Sequence, residues 1–225
     1  MALKLQYIGH SAFKISSNGY SVLIDPFIKG NPLAANVDLN VNNILVTHAH
    51  SDHLGDSIEI SQRTKAPITA IFELANYCTK KGVAAQGINM GGRIQFEWGT
   101  AVWLPASHSS GTPEGQYGGE PASILMDFGE VSVYHAGDTG LHYDLKMVGE
   151  FYKPDIALLP IGGYYTMGID EAVKAAEWLG SKKIIPMHYD TFPLIKINVN
   201  EFKRKIEALG KECIILKPGE IKEIK

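Results

Sequence analysis

The sequence contains little cysteine and little arginine, and it has no long hydrophobic run. Its two cysteines, Cys78 and Cys213, stand alone, without the spacing of a disulfide framework, so we interpret them as buried thiols in a reducing compartment. Three arginines and a net charge of −3 remove the electrostatic reason to expect a nucleic-acid partner. No stretch reaches the roughly 18 apolar residues of a membrane helix, and the N-terminus lacks signal-peptide features. The sequence therefore predicts a cytoplasmic protein with no membrane span.

What the sequence does contain is typical globular composition. The 225 residues are 45% hydrophobic and 20% charged. Short apolar strand patterns alternate with helical patterns along the chain, so we predict an α+β fold of layered sheets and helices. Two predicted hairpins, residues 12–24 and 122–135, each deliver an aspartate at or near their end, Asp25 and Asp138. An internal duplication and a chance similarity explain this equally well.

Two predicted helices begin with capping signals. Asp56 is followed three residues later by Glu59, and Asn198 is followed three residues later by Glu201. In this spacing the first side chain accepts a hydrogen bond from the helix, and the glutamate reaches back to the first residue. We therefore predict a capping box at each of these two helix starts.

The strongest functional signal is the segment THAHSDHLGD, which follows a predicted buried strand. It places His48, His50, Asp52 and His53 within six residues. In an extended chain, residues i and i+2 project to the same side, so His48 and His50 can bind one metal ion. After the chain turns, Asp52 and His53 can face a second point close by. Imidazole nitrogen and carboxylate oxygen suit zinc and similar metals, so the segment predicts a metal site.

Three further candidate ligands each follow a predicted apolar strand. They are His108, Asp138 and His188. Each is a weak signal by itself, but all three repeat one placement, at the end of a strand and the start of a loop. We therefore expect them to converge with the histidine-rich segment at one edge of the fold. Because ligands from both halves then meet at one site, residues 1–225 are predicted to form a single domain.

The segment HAHSDH followed by His108, Asp138 and His188 resembles the metallo-β-lactamase superfamily. The segments GHSAF, IDPF and PIGGYYTMGIDEA are similar to a subfamily of metal-dependent hydrolases. That subfamily is related to ascorbate-6-phosphate lactonases and to phosphodiesterases acting on N-acyl phosphatidylethanolamine. The resemblance implies an αββα sandwich in which two mixed sheets are flanked by helices. It also implies two metal sites that share Asp138, one formed by His48, His50 and His108 and the other by Asp52, His53 and His188.

Two positions separate the chain from other branches of that superfamily. His50 stands where flavodiiron oxidoreductases carry a glutamate, which disfavours a redox di-iron role. Asp138 stands where the true zinc β-lactamases carry a cysteine, and neither Cys78 nor Cys213 fits that place. The substrate stays open.

The ligand set and the resemblance together predict a dinuclear metal-dependent hydrolase. A metal-bridged hydroxide would attack a small ester, lactone or phosphodiester. We expect two divalent ions, zinc ahead of manganese, nickel or iron, a small-molecule substrate, and a homo-oligomer as one option for assembly. Asp52 is predicted to be catalytic as well as a ligand, and His10, in GHSAF, to bind substrate or act as an acid or base. The alternative is a non-hydrolytic protein of the same fold, either redox-active or a metal-binding scaffold.

Residues beside the ligand set receive supporting or open roles. Asp25 is expected to orient the histidine-rich loop by hydrogen bonds rather than to bind metal. His135 is predicted to pack or to support the site, and His142 to lie in a surface loop. The glycine-rich residues 111–119 predict either a mobile lid or a flexible surface loop. Substrate contact and plain packing stay equally open for three residues between a predicted strand and helix: Tyr164, Tyr165 and Met167.

Overall fold

The first of two sheets contains both ends of the described chain. The computed structural model describes residues 3–224. The strands of this sheet are β1 (Leu3–Gly9), β2 (Ala12–Ser17), β3 (Tyr20–Ile24), β4 (Asn43–Leu45), β5 (Ile68–Ile71), β6 (Ala85–Ile88) and β14 (Ile221–Ile224). They lie in the order β14-β1-β2-β3-β4-β5-β6. The first three pairings are antiparallel and the last three are parallel, so the sheet is mixed.

The second sheet repeats this arrangement. Its strands are β7 (Arg93–Phe96), β8 (Gly99–Pro105), β9 (Ala122–Asp127), β10 (Ser132–His135), β11 (Ile156–Pro160), β12 (Lys183–Met187) and β13 (Glu212–Cys213). They lie in the order β7-β8-β9-β10-β11-β12-β13. Three antiparallel pairings are again followed by three parallel ones.

Helices flank both sheets. They are α1 (Ser51–Leu54), α2 (Ser57–Thr64), α3 (Phe72–Lys80), α4 (Asp144–Phe151), α5 (Ile169–Leu179) and α6 (Val199–Ala208), with a 3-10 turn at Pro193–Ile195. In the first sheet, α2 and α3 contact β5, and α3 also contacts β6. In the second, α5 contacts β11 and α6 contacts β13. Throughout residues 3–224, each helix is too short or too polar to cross a membrane.

Among residues 3–224, two groups of buried apolar side chains hold these layers together. The larger group joins the sheets, with Phe13 and Ile24 from the first and Trp103 and Tyr134 from the second. The smaller group lies between the first sheet and its helices. Their strands show the expected alternation: in β1, Leu3, Leu5 and Tyr7 are buried while Lys4 is exposed. The predicted αββα sandwich of two mixed sheets is confirmed.

The predicted capping box at Asp56 is wrong. Asp56 makes no capping hydrogen bond to α2. Its Oδ2 instead accepts hydrogen bonds from the backbone N–H groups of Ile28 and Lys29, at 2.8 and 2.9 Å. Glu59 forms an ion pair with Lys29 rather than reaching back to Asp56. Both acidic side chains therefore bind the loop after β3 instead of capping α2, because the backbone N–H groups and the Lys29 side chain of that loop lie close to them.

The second predicted capping box is half formed. Asn198 accepts a hydrogen bond from the N–H of Asn200 at 3.2 Å, so its side chain caps α6. Glu201 lies 2.9 Å from Lys205 one turn further on. The ion pair along the helix replaces the reciprocal half of the box.

Candidate metal centre

Loops from both sheets meet where β4, β8, β10 and β12 end. The histidine-rich segment follows β4, His108 follows β8, Asp138 follows β10 and His188 follows β12. Within residues 3–224, side chains from these loops, together with His10 from the turn after β1, form three overlapping groups; within each group the potential ligand atoms lie within 4.8 Å of one another. The structure brings together the seven residues predicted as ligands and adds His10 to one group.

The first group consists of His48, His50 and His108. His48 Nε2 lies 3.0 Å from His50 Nδ1. The His108 ring lies nearly perpendicular to both, with its centroid 5.2 Å from that of His48 and 5.1 Å from that of His50. Their nitrogens therefore surround one small space, and this set is the one implied by the resemblance.

The second group consists of Asp52, His53, His188 and His10. The His53 and His188 rings are stacked at 5.7 Å, and His188 Nε2 lies 3.8 Å from Asp52 Oδ2. His10 Nε2 lies 3.1 Å from the same oxygen. The group contains the three implied ligands together with a fourth imidazole.

Asp138 lies between the two groups. Its Oδ1 is 3.1 Å from His53 Nε2, and its Oδ2 is 3.0 Å from His188 Nε2 and 3.6 Å from His108 Nε2. Asp138 also forms the third cluster with His48 and His53. A carboxylate in this position can share its two oxygens between two cations.

Several buried polar atoms of the centre form no hydrogen bond, although other polar atoms lie at the short distances given above. Among the described residues, His53 Nε2, His188 Nε2 and Asp138 Oδ1 have no hydrogen-bond partner. Buried polar atoms are costly to leave unsatisfied. A cation among them would satisfy all three, and a set of nitrogen and oxygen donors fits a divalent first-row metal. These residues therefore fit the metal that the ligand pattern implies.

The carboxylates give the centre its charge. Burial opposes ionisation of Asp138, but His188 and His53 outweigh it and hold the pKa of Asp138 well below its usual range. The same opposition holds for Asp52, whose pKa is lowered by His10 and His188. Burial disfavours charge on His188 too, yet Asp138 raises the pKa of His188 to about 9. The carboxylates thus attract positive charge, which protons or metal ions can supply.

Asp25 holds the histidine-rich loop, as predicted. Its Oδ1 accepts a hydrogen bond from the N–H of Thr47 at 2.8 Å, and its Oδ2 accepts one from the Thr47 hydroxyl at 2.7 Å. His53 Nδ1 lies 2.7 Å from the same Oδ2. Asp25 and His53 are fully buried, so this contact fixes the ring and turns Nε2 towards Asp138.

His10 lies behind the centre rather than on its open side. Its side chain is fully buried, with Nδ1 2.8 Å from the Thr191 hydroxyl and Nε2 3.1 Å from Asp52. Burial, together with neighbouring His188, lowers the pKa of His10 to about 4, so the ring is neutral at neutral pH. His10 reaches the open side of the site through Asp52.

A cleft of about 620 Å³ opens onto the centre. Five candidate ligands reach its surface: His50, Asp52, His108, Asp138 and His188. The remaining lining residues are Phe27, Ser51, Ser109, Tyr165, Phe192, Pro193 and Leu194. The volume is that of a small-molecule site.

The three residues left open between substrate contact and packing take different places. Tyr165 lines the cleft. Tyr164 is absent from the lining found for residues 3–224 and lies edge-on to Tyr165, with ring centroids 4.7 Å apart. Met167 is buried in the core between the sheets. Of these three, Tyr165 is placed for contact with a bound molecule.

The other two histidines lie outside the ligand groups found among the described residues. His135 is buried, with Nε2 2.9 Å from the carbonyl of Ser11 and Nδ1 accepting a hydrogen bond from the N–H of Gly137. It joins the ends of two hairpins. His142 is half-buried in the loop before α4, 3.5 Å from Asp144.

The glycine-rich residues 111–119 are packed at their base. A bridge joins Gly111 and Tyr117, and Gly118 is buried. A Cβ at Gly118 would lie 2.3 Å from that of Ala49, so only glycine allows this approach. The N–H of Ala49 donates to the hydroxyl of Ser110 at 3.2 Å. The segment therefore supports the histidine-rich loop and, within the described chain, does not line the cleft.

Sequence reasoning misses the residues that support the ligands and those that form the cleft wall. Thr47 forms a hydrogen bond with Asp25, and Thr191 forms one with His10. Threonine is common throughout proteins, so a sequence does not reveal which threonines have this role. Phe192 and Leu194 follow His188 by four and six residues. The sequence feature that could have identified them is their position in the loop that follows β12 and His188, because such loops often line binding sites.

Known proteins resemble this chain along its whole length. Residues 4–188 match a family described as a beta-lactamase superfamily domain. The chain is 46% identical to the UPF0173 metal-dependent hydrolase of Methanosarcina barkeri, with 98% of each chain covered. It is also 46% identical to the UPF0173 metal-dependent hydrolase of Methanopyrus kandleri, covering 97% of this chain and 98% of that one.

A solved structure has the same architecture. Igni18, a metallo hydrolase from the archaeon Ignicoccus hospitalis, superposes with a TM-score of 0.92 at 38% identity. The match covers 100% of this chain and 99% of that chain. The two sequence relatives and this solved structure are thus all described as metal-dependent or metallo hydrolases.

Proposed function

The chain belongs to the β-lactamase superfamily, among its UPF0173 metal-dependent hydrolases, and from that membership we propose that it hydrolyses a small ester, lactone or phosphodiester with two divalent ions. The observation that carries the proposal is the convergence of the potential ligand atoms of seven predicted residues, with Asp138 between two groups. A single-ion site would leave one of these groups without a function.

The two groups divide the ligands. His48, His50 and His108 would hold one ion, Asp52, His53 and His188 the other, and Asp138 would contact both. Such ions would lower the pKa of bound water towards about 7 and would stabilise negative charge that develops on the substrate. Zinc suits this donor set, as do manganese, nickel and iron.

We infer that Asp52 accepts the proton of the attacking water. It lines the cleft, and its side chain is 26% exposed. Its lowered pKa keeps it ionised and makes it a weak base, so we infer that it passes the proton on to solvent. His10 would act as a positioning residue that holds Asp52 Oδ2. A neutral, fully buried ring suits that role better than contact with substrate.

The proposal is tested by metal analysis together with turnover. We expect wild-type protein to bind two equivalents of zinc or manganese and to hydrolyse at least one member of an ester, lactone and phosphodiester panel. His48→Ala should lose one equivalent or more and the turnover with it, because His48 belongs to two of the three groups.

His142→Ala is the matched control, because this histidine lies outside those groups. It should keep both the metal and the activity. A loaded wild-type protein that turns over no panel member, or a His48→Ala protein that matches wild type, would contradict the proposal.

A further inference from the structure

One side of the cleft is apolar. Phe27, Phe192, Pro193 and Leu194 line it, with Tyr165 also at the cleft. Leu194 is 56% exposed and Tyr165 is 51% exposed. Large apolar side chains grouped at an exposed concave surface are typical of a binding site rather than of ordinary surface.

This apolar wall begins next to the metal centre. The rings of Phe27 and Phe192 both contact His10, with centroids at 5.7 and 5.6 Å, and lie 6.3 Å from each other. His10 in turn contacts Asp52 at 3.1 Å. The wall is thus one side chain away from a candidate ligand, so a group bound against it is attached close to the bond that reacts.

The cleft offers no fixed cation to a charged substrate group. In the described chain its lining contains neither lysine nor arginine, and its histidines and carboxylates are the five candidate ligands. A carboxylate or phosphate placed against the wall would lose water without gaining a cationic partner, which is unfavourable. Charge would therefore be tolerated only at the reacting group itself, beside the candidate metal ligands.

We propose that the wall formed by Phe27, Phe192, Pro193 and Leu194 selects substrates that carry an uncharged alkyl or aryl group next to the scissile bond. The inference rests on the proposed function and narrows its substrate class. Each methylene group buried against the wall should raise kcat/KM about fourfold. Compounds that carry an anionic group away from the scissile bond, such as sugars with an additional phosphate, should be poor substrates.

The test uses three 4-nitrophenyl esters that share one leaving group. The butyrate is apolar, the methoxyacetate has nearly the same shape with an ether oxygen, and the 4-sulfobutanoate ends in a sulfonate, which is anionic but does not attack its own ester. Each kcat/KM of the metal-loaded enzyme is divided by the rate of hydroxide-catalysed hydrolysis of the same ester. We expect the normalised kcat/KM of the butyrate to exceed that of the methoxyacetate several-fold and that of the 4-sulfobutanoate at least tenfold.

Substitutions at the exposed Leu194 identify the wall as the cause. Leu194→Ala should reduce the preference for butyrate over methoxyacetate about threefold or more, and Leu194→Lys should raise the relative rate of the 4-sulfobutanoate. Leu209→Ala is the matched control, since Leu209 is 41% exposed after α6 and is absent from the cleft lining found in residues 3–224. It should leave all three ratios unchanged.

A binding measurement separates this inference from the proposed function. Ligand-observed NMR should detect tighter binding of N-phenylbutanamide than of N-phenylsuccinamate, and Leu194→Lys should remove the difference. Equal normalised rates for the three esters would overturn the inference and leave the hydrolase intact. No turnover of any substrate class would contradict the hydrolase, and equal binding of the two anilides would then overturn the apolar site as well.

Discussion

The strands of both sheets pair in the same order, antiparallel first and then parallel. The aspartates at corresponding strand ends nevertheless have different roles. β3 and β10 each lie where antiparallel pairing changes to parallel pairing. Asp25 directly follows β3, and Asp138 follows β10 by three residues. Both oxygens of Asp25 accept hydrogen bonds, whereas Asp138 Oδ1 has none among the described residues. The Asp25 carboxylate is thus satisfied by hydrogen bonds within the protein, whereas the Asp138 carboxylate has an oxygen that can bind a cation.

The backbone before each carboxylate differs as well. Asp25 itself has a positive φ of 46°, which aspartate tolerates better than most residues. Before Asp138 the positive φ, 60°, falls on Gly137, where a Cβ would lie 2.7 Å from the carbonyl oxygen of Ala122. The repeated topology therefore delivers two aspartates by different local turns, and the neighbours decide which of them can bind metal.

The largest expected effect comes from Asp138→Asn. An amide oxygen has no charge to share between two cations, so the variant should bind fewer than two metal equivalents. Its kcat/KM should fall by more than the 10- to 100-fold typical of outer supporting residues. Metal analysis and ester turnover measure both effects. Asp144→Asn, at an exposed position on α4, is the control and should match wild type. Two tightly bound equivalents in Asp138→Asn would show that Asp138 does not bridge.

Asp25→Asn should have an intermediate effect and a different signature. The amide nitrogen would face the Thr47 N–H or hydroxyl, which breaks a buried network and costs about 1–3 kcal/mol of unfolding free energy. Metal affinity should fall about 10- to 100-fold because the His53 ring is less well held, while both equivalents still bind at saturation. Urea unfolding and metal titration provide the measurements. A missing equivalent at saturation would make Asp25 a ligand and remove the contrast with Asp138.

The smallest effect is expected for Thr191→Val. The change removes the hydroxyl 2.8 Å from His10 Nδ1 and leaves a buried ring nitrogen without a partner. We expect a loss of about 1–3 kcal/mol in unfolding free energy and less than a tenfold change in metal affinity. Thr191→Ser keeps the hydroxyl and should restore most of the stability. A loss of metal binding as large as that in Asp25→Asn would mean that His10 contributes to the site as directly as His53.

Much of the fold can be predicted because its signals are local. The hairpin over β2 and β3, the buried strand β11 and the helix that ends at Gly180 all follow from short-range patterns. The sequence does not predict β14, whose pairing joins Ile224 to Leu3 at the opposite end of the chain. The capping box at Asp56 does not form for a related reason: its carboxylate accepts hydrogen bonds from a loop that is distant in the sequence.

The sequence by itself determined the chemical character of the site. Imidazoles and carboxylates placed directly after apolar strands are local features, and their chemistry indicates a metal without reference to anything distant. The supporting role of Asp25 is also predicted, and the resemblance implies that Asp138 is shared by both sites. Only the tertiary structure decided that Asp25 holds Thr47 and His53, that His10 lies behind Asp52, and that an apolar wall faces the centre. The physical reason is that a carboxylate or an imidazole acts according to the donors, charges and water around it, and here those neighbours come from strands and loops far apart in the chain.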